Sequence, residues 1–128
     1  MAKNGGKQGR VIRRYRSDIP IEDFPKWESS IRTKKRGCGL YALYQGDELR
    51  YVGRATQSIR ARISSHMRDP QKSFTHFSVF LVTGANTTAR ERRIVDLEAL
   101  LLHIMKPVPQ WNKQVTQFIG AEKLEVEE

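Results

Sequence analysis

Two segments of the chain place polar residues on what should be apolar helix faces. In the first, Arg62 and His66 lie on the same predicted face as Ile59 and Ile63. Because Arg62 and His66 are four positions apart, their side chains converge on one region. In the second segment, Glu98 lies in the middle of an apolar stripe, where a carboxylate is costly unless it is paired, hydrogen-bonded or bound to a metal. These three side chains are candidates for chemistry on a charged substrate.

Each candidate also has an interpretation without chemistry. Arg62 and His66 could bury their stems and keep their polar ends in water. Glu98 could form an ion pair with Arg62 that only stabilises the fold. Alternatively, Glu98 is a ligand of Mg²⁺ or Mn²⁺, because hard cations prefer carboxylate oxygen and substrate phosphate can supply further ligands. The sequence leaves both interpretations open.

A predicted hairpin before these helices carries two tyrosines and two glycines at its open end. Gly39-Leu40-Tyr41 opens the first strand, and Tyr51-Val52-Gly53 closes the second. Since side chains alternate along a strand, a two-residue turn at Gly46-Asp47 places Tyr41 and Tyr51 on opposite faces. A three-residue loop or a bulge places them on one face, which a shared functional role requires. The alternative role of both tyrosines is ordinary sheet packing.

Hydrophobic periodicity and turn residues predict five elements in residues 37–115, in the order β-β-α-β-α. The predicted bounds are about 38–45 and 48–53 for the hairpin, 56–68 for a helix, 74–83 for a strand and 87–105 for a long helix. The predicted N-caps are Thr56 for the first helix and Thr87 or Thr88 for the second. This order is typical of an α+β fold, a small α/β sandwich in which helices flank a mainly antiparallel three-stranded sheet.

The ends of the chain differ in composition from this predicted domain. Residues 1–36 are predicted to form a basic N-terminal arm and a short packing helix. Residues 1–17 are basic with little apolar content, which is typical of a flexible arm. Phe24, Trp27 and Ile31 then have the spacing of a short helix that starts at Pro25. Residues 116–128 form an acidic C-terminal tail.

Charge and cysteine usage narrow the class of protein. The formal net charge of +9 favours a polyanionic partner, most often nucleic acid. The apolar segments are too short for a membrane span, and the N-terminal charges precede no secretory signal, so we expect no membrane partner. The single cysteine, Cys38, excludes an intramolecular disulfide and fits a reducing, cytoplasmic setting.

Residues 37–115 resemble the GIY-YIG endonuclease superfamily. Gly39-Leu40-Tyr41 and Tyr51-Val52-Gly53 are similar to the paired motif that names the superfamily, with Leu and Val in place of isoleucines. Pro107 and Asn112 match the family's proline and asparagine, but two extra residues lie between them. The further matches, in chain order, are Arg62, His66, Glu98, Pro107 and Asn112.

This resemblance implies a metal-dependent endonuclease that hydrolyses phosphodiester bonds in DNA. Tyr41 would act as general base or orient the attacking water, and its reference pKa of about 10 would need nearby positive charge to help. Arg62 would hold the scissile phosphate. Glu98 would bind one Mg²⁺ or Mn²⁺, which would serve as Lewis acid and leaving-group clamp. The supporting catalytic residues would be Tyr51, His66 and Asn112.

Several basic residues are candidates for contacts with nucleic-acid phosphates. Arg54 directly follows the second tyrosine motif, and Arg90 and Arg93 open the last helix, where cations are mildly unfavourable to the helix dipole. The alternative is a solvated basic face. The full candidate set is Arg54, Arg60, Arg90, Arg93 and Lys106.

Two other functional classes remain beside the nuclease. One is a non-catalytic nucleic-acid-binding module that keeps the fold. The other is a nuclease subunit of a larger repair or recombination assembly, bound to a protein partner through residues 1–33. DNA is the expected polymer and RNA the second. The sequence has no zinc-finger or helix-turn-helix pattern, which favours recognition of DNA shape or junctions, or specificity supplied by a partner. It does not determine the oligomeric state.

Overall fold

A computed structural model of the chain describes residues 10–30 and 37–125. Within these residues it contains four strands, three α-helices and a short 3-10 helix at Ile21–Asp23. The strands are β1 (Ile12–Pro20), β2 (Gly39–Gln45), β3 (Glu48–Ala55) and β4 (His76–Val82). The helices are α1 (Phe24–Ser30), α2 (Ile59–Met67) and α3 (Thr87–Ile104).

The strands form one antiparallel sheet in the order β1-β4-β2-β3. The prediction of an α+β fold with an antiparallel sheet is therefore confirmed, but the sheet has four described strands where the sequence predicted three. No helix in residues 10–30 or 37–125 is both long enough and apolar enough to cross a membrane.

The additional strand corrects the prediction of a flexible arm. Residues 12–20 pair with β4 from Ile12 opposite Val82 to Pro20 opposite His76. Their high content of arginine suggested disorder, but an edge strand pairs on one side only and tolerates charged side chains, which also discourage pairing with other molecules. Ile19 of β1 is buried and Ile12 is partly buried, so the strand also adds apolar contacts to the sheet. Residues 1–9 lie outside the described part of the chain.

The short helix packs onto the same core as the predicted domain. Phe24 and Trp27 of α1 are buried, and their rings contact that of Phe77 in β4, with centroids 6.0 and 5.4 Å apart. Because β1 shares the sheet and α1 shares the core, the boundary predicted at residue 36 does not separate an independent unit. The third predicted helix residue, Ile31, belongs to residues 31–36, which are outside the described ranges.

Hydrophobic residues on the two faces of the sheet form two cores. On one face, Tyr41 and Phe77 pack with Ile59 and Ile63 of α2. On the other face, Leu40 and its neighbours pack with α3; this second core is Cys38, Leu40, Val82 and Ile94. We call these the α2 face and the α3 face.

Both N-caps differ from the predicted ones by one or two residues. Ser58 caps α2, and its hydroxyl accepts a hydrogen bond from the Ala61 amide at 3.1 Å. Asn86 caps α3, and its carbonyl oxygen accepts from the Ala89 amide at 2.8 Å. Several cap-forming residues precede each helix, and all satisfy the same sequence rule. The choice among them depends on where the preceding strand ends.

The hairpin combines a two-residue turn with a bulge. Gln45 pairs with Glu48 across Gly46-Asp47, and Gly46 adopts the left-handed conformation with φ of 62°. The register then shifts between Leu43 and Tyr44, so that β3 holds one more residue than β2 at this point. Beyond the bulge, Tyr41 pairs with Gly53, which places Tyr41 and Tyr51 on the same face. The register that a shared role of the tyrosines requires is therefore present.

Candidate active site

Three aromatic side chains that the sequence selected lie in contact on the α2 face. The ring centroids of Tyr41 and Tyr51 are 5.9 Å apart, those of Tyr41 and His66 are 5.6 Å apart, and those of Tyr51 and His66 are 5.0 Å apart. The two strands of the hairpin position the tyrosines, and α2 positions His66. We call Tyr41, Tyr51 and His66 the ring cluster.

Gly53 provides the space that the ring cluster occupies. A Cβ atom at this position would lie 2.5 Å from Cε2 of Tyr51, 2.6 Å from Cζ of Tyr41 and 2.7 Å from the Tyr41 hydroxyl. These separations are far shorter than a van der Waals contact, which is about 3.5–4.0 Å between carbon atoms. The glycine of the second motif is therefore required by the rings that pack over it, and not by an unusual backbone conformation.

Tyr41 and His66 form a buried hydrogen bond. The Tyr41 hydroxyl lies 2.8 Å from Nε2 of His66, and Tyr41 is fully buried. Burial lowers the pKa of His66 from 6.5 to about 4, with smaller contributions in the same direction from Lys72 and Arg62 and an opposing one from Asp69. The imidazole is therefore neutral near pH 7. We assign the Tyr41 hydroxyl as the donor to Nε2, which leaves the ring proton on Nδ1.

The protonation of Tyr41 differs from what a general base requires. Burial raises the pKa of Tyr41 well above its usual value of 10, and the neighbouring Tyr51 raises it further. The positive charge of Arg62 acts in the expected direction and lowers this pKa, but burial outweighs it. Tyr41 is thus a neutral phenol near pH 7, with no direct exposure to water. The expectation that nearby positive charge prepares Tyr41 as a base does not hold for this resting state.

Arg62 lies beside the two tyrosines and is exposed to solvent. The Tyr41 phenol raises the pKa of Arg62, burial opposes this shift, and Tyr51 adds to it. The guanidinium is therefore a permanent positive charge at the margin of the ring cluster. The ion pair between Arg62 and Glu98, which was one interpretation of the sequence, is not the one that Glu98 forms.

Glu98 lies on the α3 face and pairs with Arg54 instead. Its Oε1 atom is 2.5 Å from Nη1 of Arg54 and accepts a hydrogen bond from the Thr116 hydroxyl at 2.6 Å. The same Arg54 nitrogen donates to Thr116 Oγ1 at 3.1 Å, so the three side chains are mutually bonded. We call Arg54, Glu98 and Thr116 the carboxylate cluster. All of its bonds to Glu98 among the described residues use Oε1.

Asn112 holds the segment that carries Thr116 against the outer edge of β3. Its Oδ1 accepts from the Val52 amide at 2.9 Å, and its Nδ2 donates to the Val52 carbonyl at 2.8 Å. The amide of Trp111 adds a bond to the Arg50 carbonyl at 2.8 Å. Asn112 therefore satisfies backbone groups that the edge strand would otherwise leave unpaired, and it fixes the position of the C-terminal segment.

One cavity of about 660 Å³ receives side chains from both faces. Tyr51 and Arg62 line it from the α2 face, and Glu98 lines it from the α3 face. Tyr41 and His66 lie behind this wall and are not among the lining residues. Of the residues that the sequence selected, the cavity is lined by Tyr51, Arg54, Arg62, Glu98 and Asn112.

The cavity wall also contains residues that were not predicted to belong to the site. Thr116 and Lys113 come from the segment that was assigned to the domain end and the acidic tail, and Lys72 comes from the loop after α2. The ammonium group of Lys72 lies 5.2 Å from the centre of the Tyr51 ring. These positions carry no periodic pattern because they lie in loops, so only the fold brings them to the cavity.

The other predicted basic residues lie at different distances from this cavity. Arg60 and Lys106 are exposed and do not line the cavity. Arg90 and Arg93 lie five to eight residues before Glu98 on α3, which corresponds to about 8–12 Å along the helix. Arg93 donates to the Thr83 carbonyl and hydroxyl at 3.0 and 2.8 Å. Of the five predicted phosphate contacts, the structure brings only Arg54 into the cavity wall.

The donor atoms near Glu98 are compatible with one hard cation. Glu98 is 5% exposed and lines a cavity large enough for a cation and its waters. Its Oε2 atom forms no bond to the described residues, so it is available as a ligand. No group of three or more His, Cys, Asp or Glu side chains within residues 10–30 and 37–125 is arranged to hold a metal ion. A cation here would therefore depend on water and substrate oxygen for its other ligands.

The chain matches no protein-family model, no curated protein and no solved structure.

Proposed function

We propose that this chain is a metal-dependent endonuclease of the GIY-YIG type that hydrolyses phosphodiester bonds in DNA. The observation that carries the proposal is the cavity in which Tyr51, Arg62 and Glu98 meet from opposite faces of β3. A nucleophilic water, an anionic phosphate and a cation need different partners within a few ångströms of one another. These three side chains provide a hydroxyl, a guanidinium and a carboxylate at one cavity.

Arg62 is the residue that binds the scissile phosphate in this proposal. Its planar guanidinium can donate two parallel hydrogen bonds to phosphate oxygens and can stabilise the charge that develops on them. It is exposed at the cavity wall, so a polymer can reach it without opening the core. Lys72 and Lys113 add positive charge at the same wall.

Tyr51 is the tyrosine that meets the attacking water, and Tyr41 acts behind it. The Tyr51 hydroxyl orients the water from the cavity wall, while the buried bond from Tyr41 to the neutral His66 fixes the position of the rings. This arrangement keeps the tyrosine assistance that the sequence predicted and assigns contact with the solvent to Tyr51.

Glu98 would hold Mg²⁺ or Mn²⁺ through Oε2. When bound, such a cation supplies Lewis-acid stabilisation of the phosphoryl oxygens and of the leaving oxygen. Thr116 and Arg54 hold the other carboxylate oxygen and so fix the orientation of the group. Asn112 acts indirectly, because it anchors the segment that carries Thr116.

The ion pair between Arg54 and Glu98 favours one alternative function. Since Arg54 already neutralises the buried carboxylate, the cluster is electrostatically satisfied without a cation. A non-catalytic domain that only binds nucleic acid would need no more than this. The same domain within a larger repair or recombination assembly remains a variant of both proposals.

Supercoiled plasmid distinguishes the two functions. We expect the purified chain to nick the plasmid in Mg²⁺ or Mn²⁺ and not in EDTA. Glu98→Gln keeps the size and the hydrogen-bonding capacity of the side chain and removes its charge, so it should lower the rate by at least about a hundredfold. Affinity for DNA should persist in EDTA, because most of it comes from phosphate contacts.

The matched control is Glu91→Gln, which removes a carboxylate of α3 that does not line the cavity. It should nick like the unmodified chain. DNA binding without cutting in any metal, on plasmid and on branched substrates alike, would support the non-catalytic module. Equal nicking by Glu98→Gln would show that Glu98 holds no essential cation.

A further inference from the structure

The sheet edge opposite the cavity carries an aromatic pair, one ring exposed and the other partly buried. Tyr15 of β1 is 70% exposed. Its ring lies beside that of Phe80 in the neighbouring strand, with centroids 6.1 Å apart and ring planes inclined by 10°. Phe80 borders the core under α3, which packs mainly on β3 and β2, so Tyr15 lies beyond the area that the helix covers. We call Tyr15 and Phe80 the aromatic surface.

The strand that carries Tyr15 also carries unneutralised positive charge. Arg13, Arg14 and Arg16 are exposed, and their side chains form no ion pair or hydrogen bond with a described residue. The nearest acid on the strand is Asp18, which is exposed as well. An exposed ring on a strand that also carries cations suits a ligand that combines flat rings with negative charge.

We propose that this edge binds single-stranded nucleic acid, with an unpaired base stacked on Tyr15 and phosphates bound by the arginines of β1. Proteins bind single strands through this combination of aromatic platforms and basic grooves, and it does not depend on base sequence. The proposal rests on the proposed function only in taking nucleic acid as the polymer. A single strand fits better than a duplex because a duplex offers no free base face to stack on a ring.

The position of β1 in the sheet explains how one ligand could contact both Tyr15 and the arginines. β1 is the last described strand on its side of the sheet, so no strand of residues 10–30 and 37–125 pairs with its outer edge. By register, Tyr15 shares the α3 face with Phe80, whereas Arg14 and Arg16 share the α2 face with Leu81 and Val79. A nucleic-acid backbone along the outer edge is within reach of both arginines, and a base turned over that edge meets Tyr15.

The distance to the cavity makes the two sites compatible with one substrate. β4 and β2 separate β1 from β3, and adjacent strands are about 4.8 Å apart, so the two edges are roughly 14 Å apart. This corresponds to about four steps of a duplex, in which each strand rises 3.4 Å per nucleotide, and to fewer nucleotides of an extended single strand. The preferred substrate would therefore have an unpaired segment a few nucleotides from the bond that is cut.

Fluorescence anisotropy with a labelled thymidine oligonucleotide tests the aromatic surface. The full chain is titrated in EDTA, with a duplex of equal length as the second probe. Tyr15→Ala and Tyr15→Leu should each weaken binding to the single strand by about five- to a hundredfold, and Tyr15→Phe should retain it. A duplex can contact the arginines but has no free base to stack on Tyr15. Both substitutions should therefore have a much smaller effect on duplex binding. Tyr15→Leu keeps an apolar side chain at the position and so separates stacking from folding.

A salt series tests the arginines. Each phosphate contact contributes about 0.7 to the slope of log K against log salt for a single strand, so Arg14→Ala should reduce this slope by about that amount. Lys26→Ala removes an exposed cation on α1 and should leave the slope unchanged.

Two results would overturn the inference. One is equal single-strand affinity for Tyr15→Leu and the unmodified chain. The other is binding to anionic phosphatidylserine vesicles that depends on Tyr15, with no effect of Tyr15 on oligonucleotide binding, which would identify a membrane surface as the partner. Plasmid nicking is a separate readout: a Tyr15 effect without any nicking would support this surface while contradicting the nuclease.

Discussion

The two faces of β3 supply one cavity with two different kinds of chemistry. On the α2 face, the ring cluster consists of neutral aromatic groups held by packing and by one buried hydrogen bond. On the α3 face, the carboxylate cluster consists of opposite charges and a hydroxyl held by polar bonds. A single edge strand separates them, because alternate residues of a strand point to opposite faces.

The two clusters differ in which of their side chains an incoming ligand could displace. Of the ring cluster, Tyr51 alone lines the cavity; Tyr41 behind it is fully buried, and Gly53 leaves no spare space beneath the rings. In the carboxylate cluster, the Arg54 side chain is 40% exposed while that of Glu98 is 7% exposed. We infer that the ring cluster fixes geometry, while Arg54 is the group that can move when a cation or a phosphate arrives.

Gly53→Ala should have the largest effect, because it acts directly on the ring cluster. The new Cβ would lie within 2.7 Å of Tyr41 and Tyr51, and Tyr41 has no space to move. We expect a loss of about 1–3 kcal/mol in the free energy of unfolding, measured by urea denaturation. Plasmid nicking should fall with it, because the displaced tyrosines no longer hold the cavity wall.

Gly37→Ala is the control for this substitution. A Cβ atom at Gly37 would meet no atom of the described residues within 4 Å, so the stability and nicking of Gly37→Ala should equal those of the unmodified chain. If Gly53→Ala unfolds at the same urea concentration as the unmodified chain, the ring cluster is loosely packed.

The sequence predicted the ring cluster because its residues follow regular elements. His66 interrupts a helical stripe, so periodicity identified it. Tyr41 and Tyr51 were selected by the two glycine-tyrosine motifs of the hairpin and by the family resemblance. The one undecided point was the hairpin register. It depends on a bulge between Leu43 and Tyr44 that no turn residue indicates, and the structure resolves it.

Thr116→Val tests the other cluster and should have an intermediate effect. Valine has nearly the same shape but removes the hydroxyl that donates to Glu98 and accepts from Arg54. We expect a loss of about 1 kcal/mol in the free energy of unfolding. If Glu98 holds a cation, the metal concentration for half-maximal nicking should rise about tenfold, because its orienting partner is lost.

Thr56→Val is the matched control, since Thr56 lines the same cavity but its hydroxyl bonds to no described residue. Thr56→Val should change neither the free energy of unfolding nor the metal concentration for half-maximal nicking. Unchanged stability of Thr116→Val would mean that the ion pair with Arg54 holds Glu98 without help from the hydroxyl.

The carboxylate cluster was only partly predictable, and the reason is physical. Glu98 was recognisable because it breaks an apolar helical stripe, but the sequence left open whether it binds a metal ion or pairs with Arg62. The true partner, Arg54, is set by strand register and by the packing of α3 across β3. Thr116 lies in an irregular segment, where no period relates a residue to a face. The strand formed by residues 12–20 was missed for a different reason: its charges resemble those of a disordered arm, whereas its pairing depends on β4, far along the chain.

The pH dependence of stability isolates His66. In the folded chain burial lowers the pKa of His66 to about 4, while an unfolded histidine keeps a value near 6.5. Between these values the unfolded chain binds a proton that the folded chain does not, so stability falls as the pH is lowered from about 6.5 to about 4. One proton corresponds to a slope of at most about 1.4 kcal/mol per pH unit.

Urea denaturation at several pH values between 4 and 7 measures this slope. Carboxylates titrate in the same range, but their contribution is common to all variants and cancels when the slopes are compared. His66→Gln should lose the contribution of His66 and so show a shallower dependence than the unmodified chain. Tyr41→Phe should keep it, because burial and not the hydrogen bond is the main cause of the lowered pKa. An identical slope in His66→Gln would mean that water reaches the imidazole, and the ring cluster would then be as open to exchange as the carboxylate cluster on the other face.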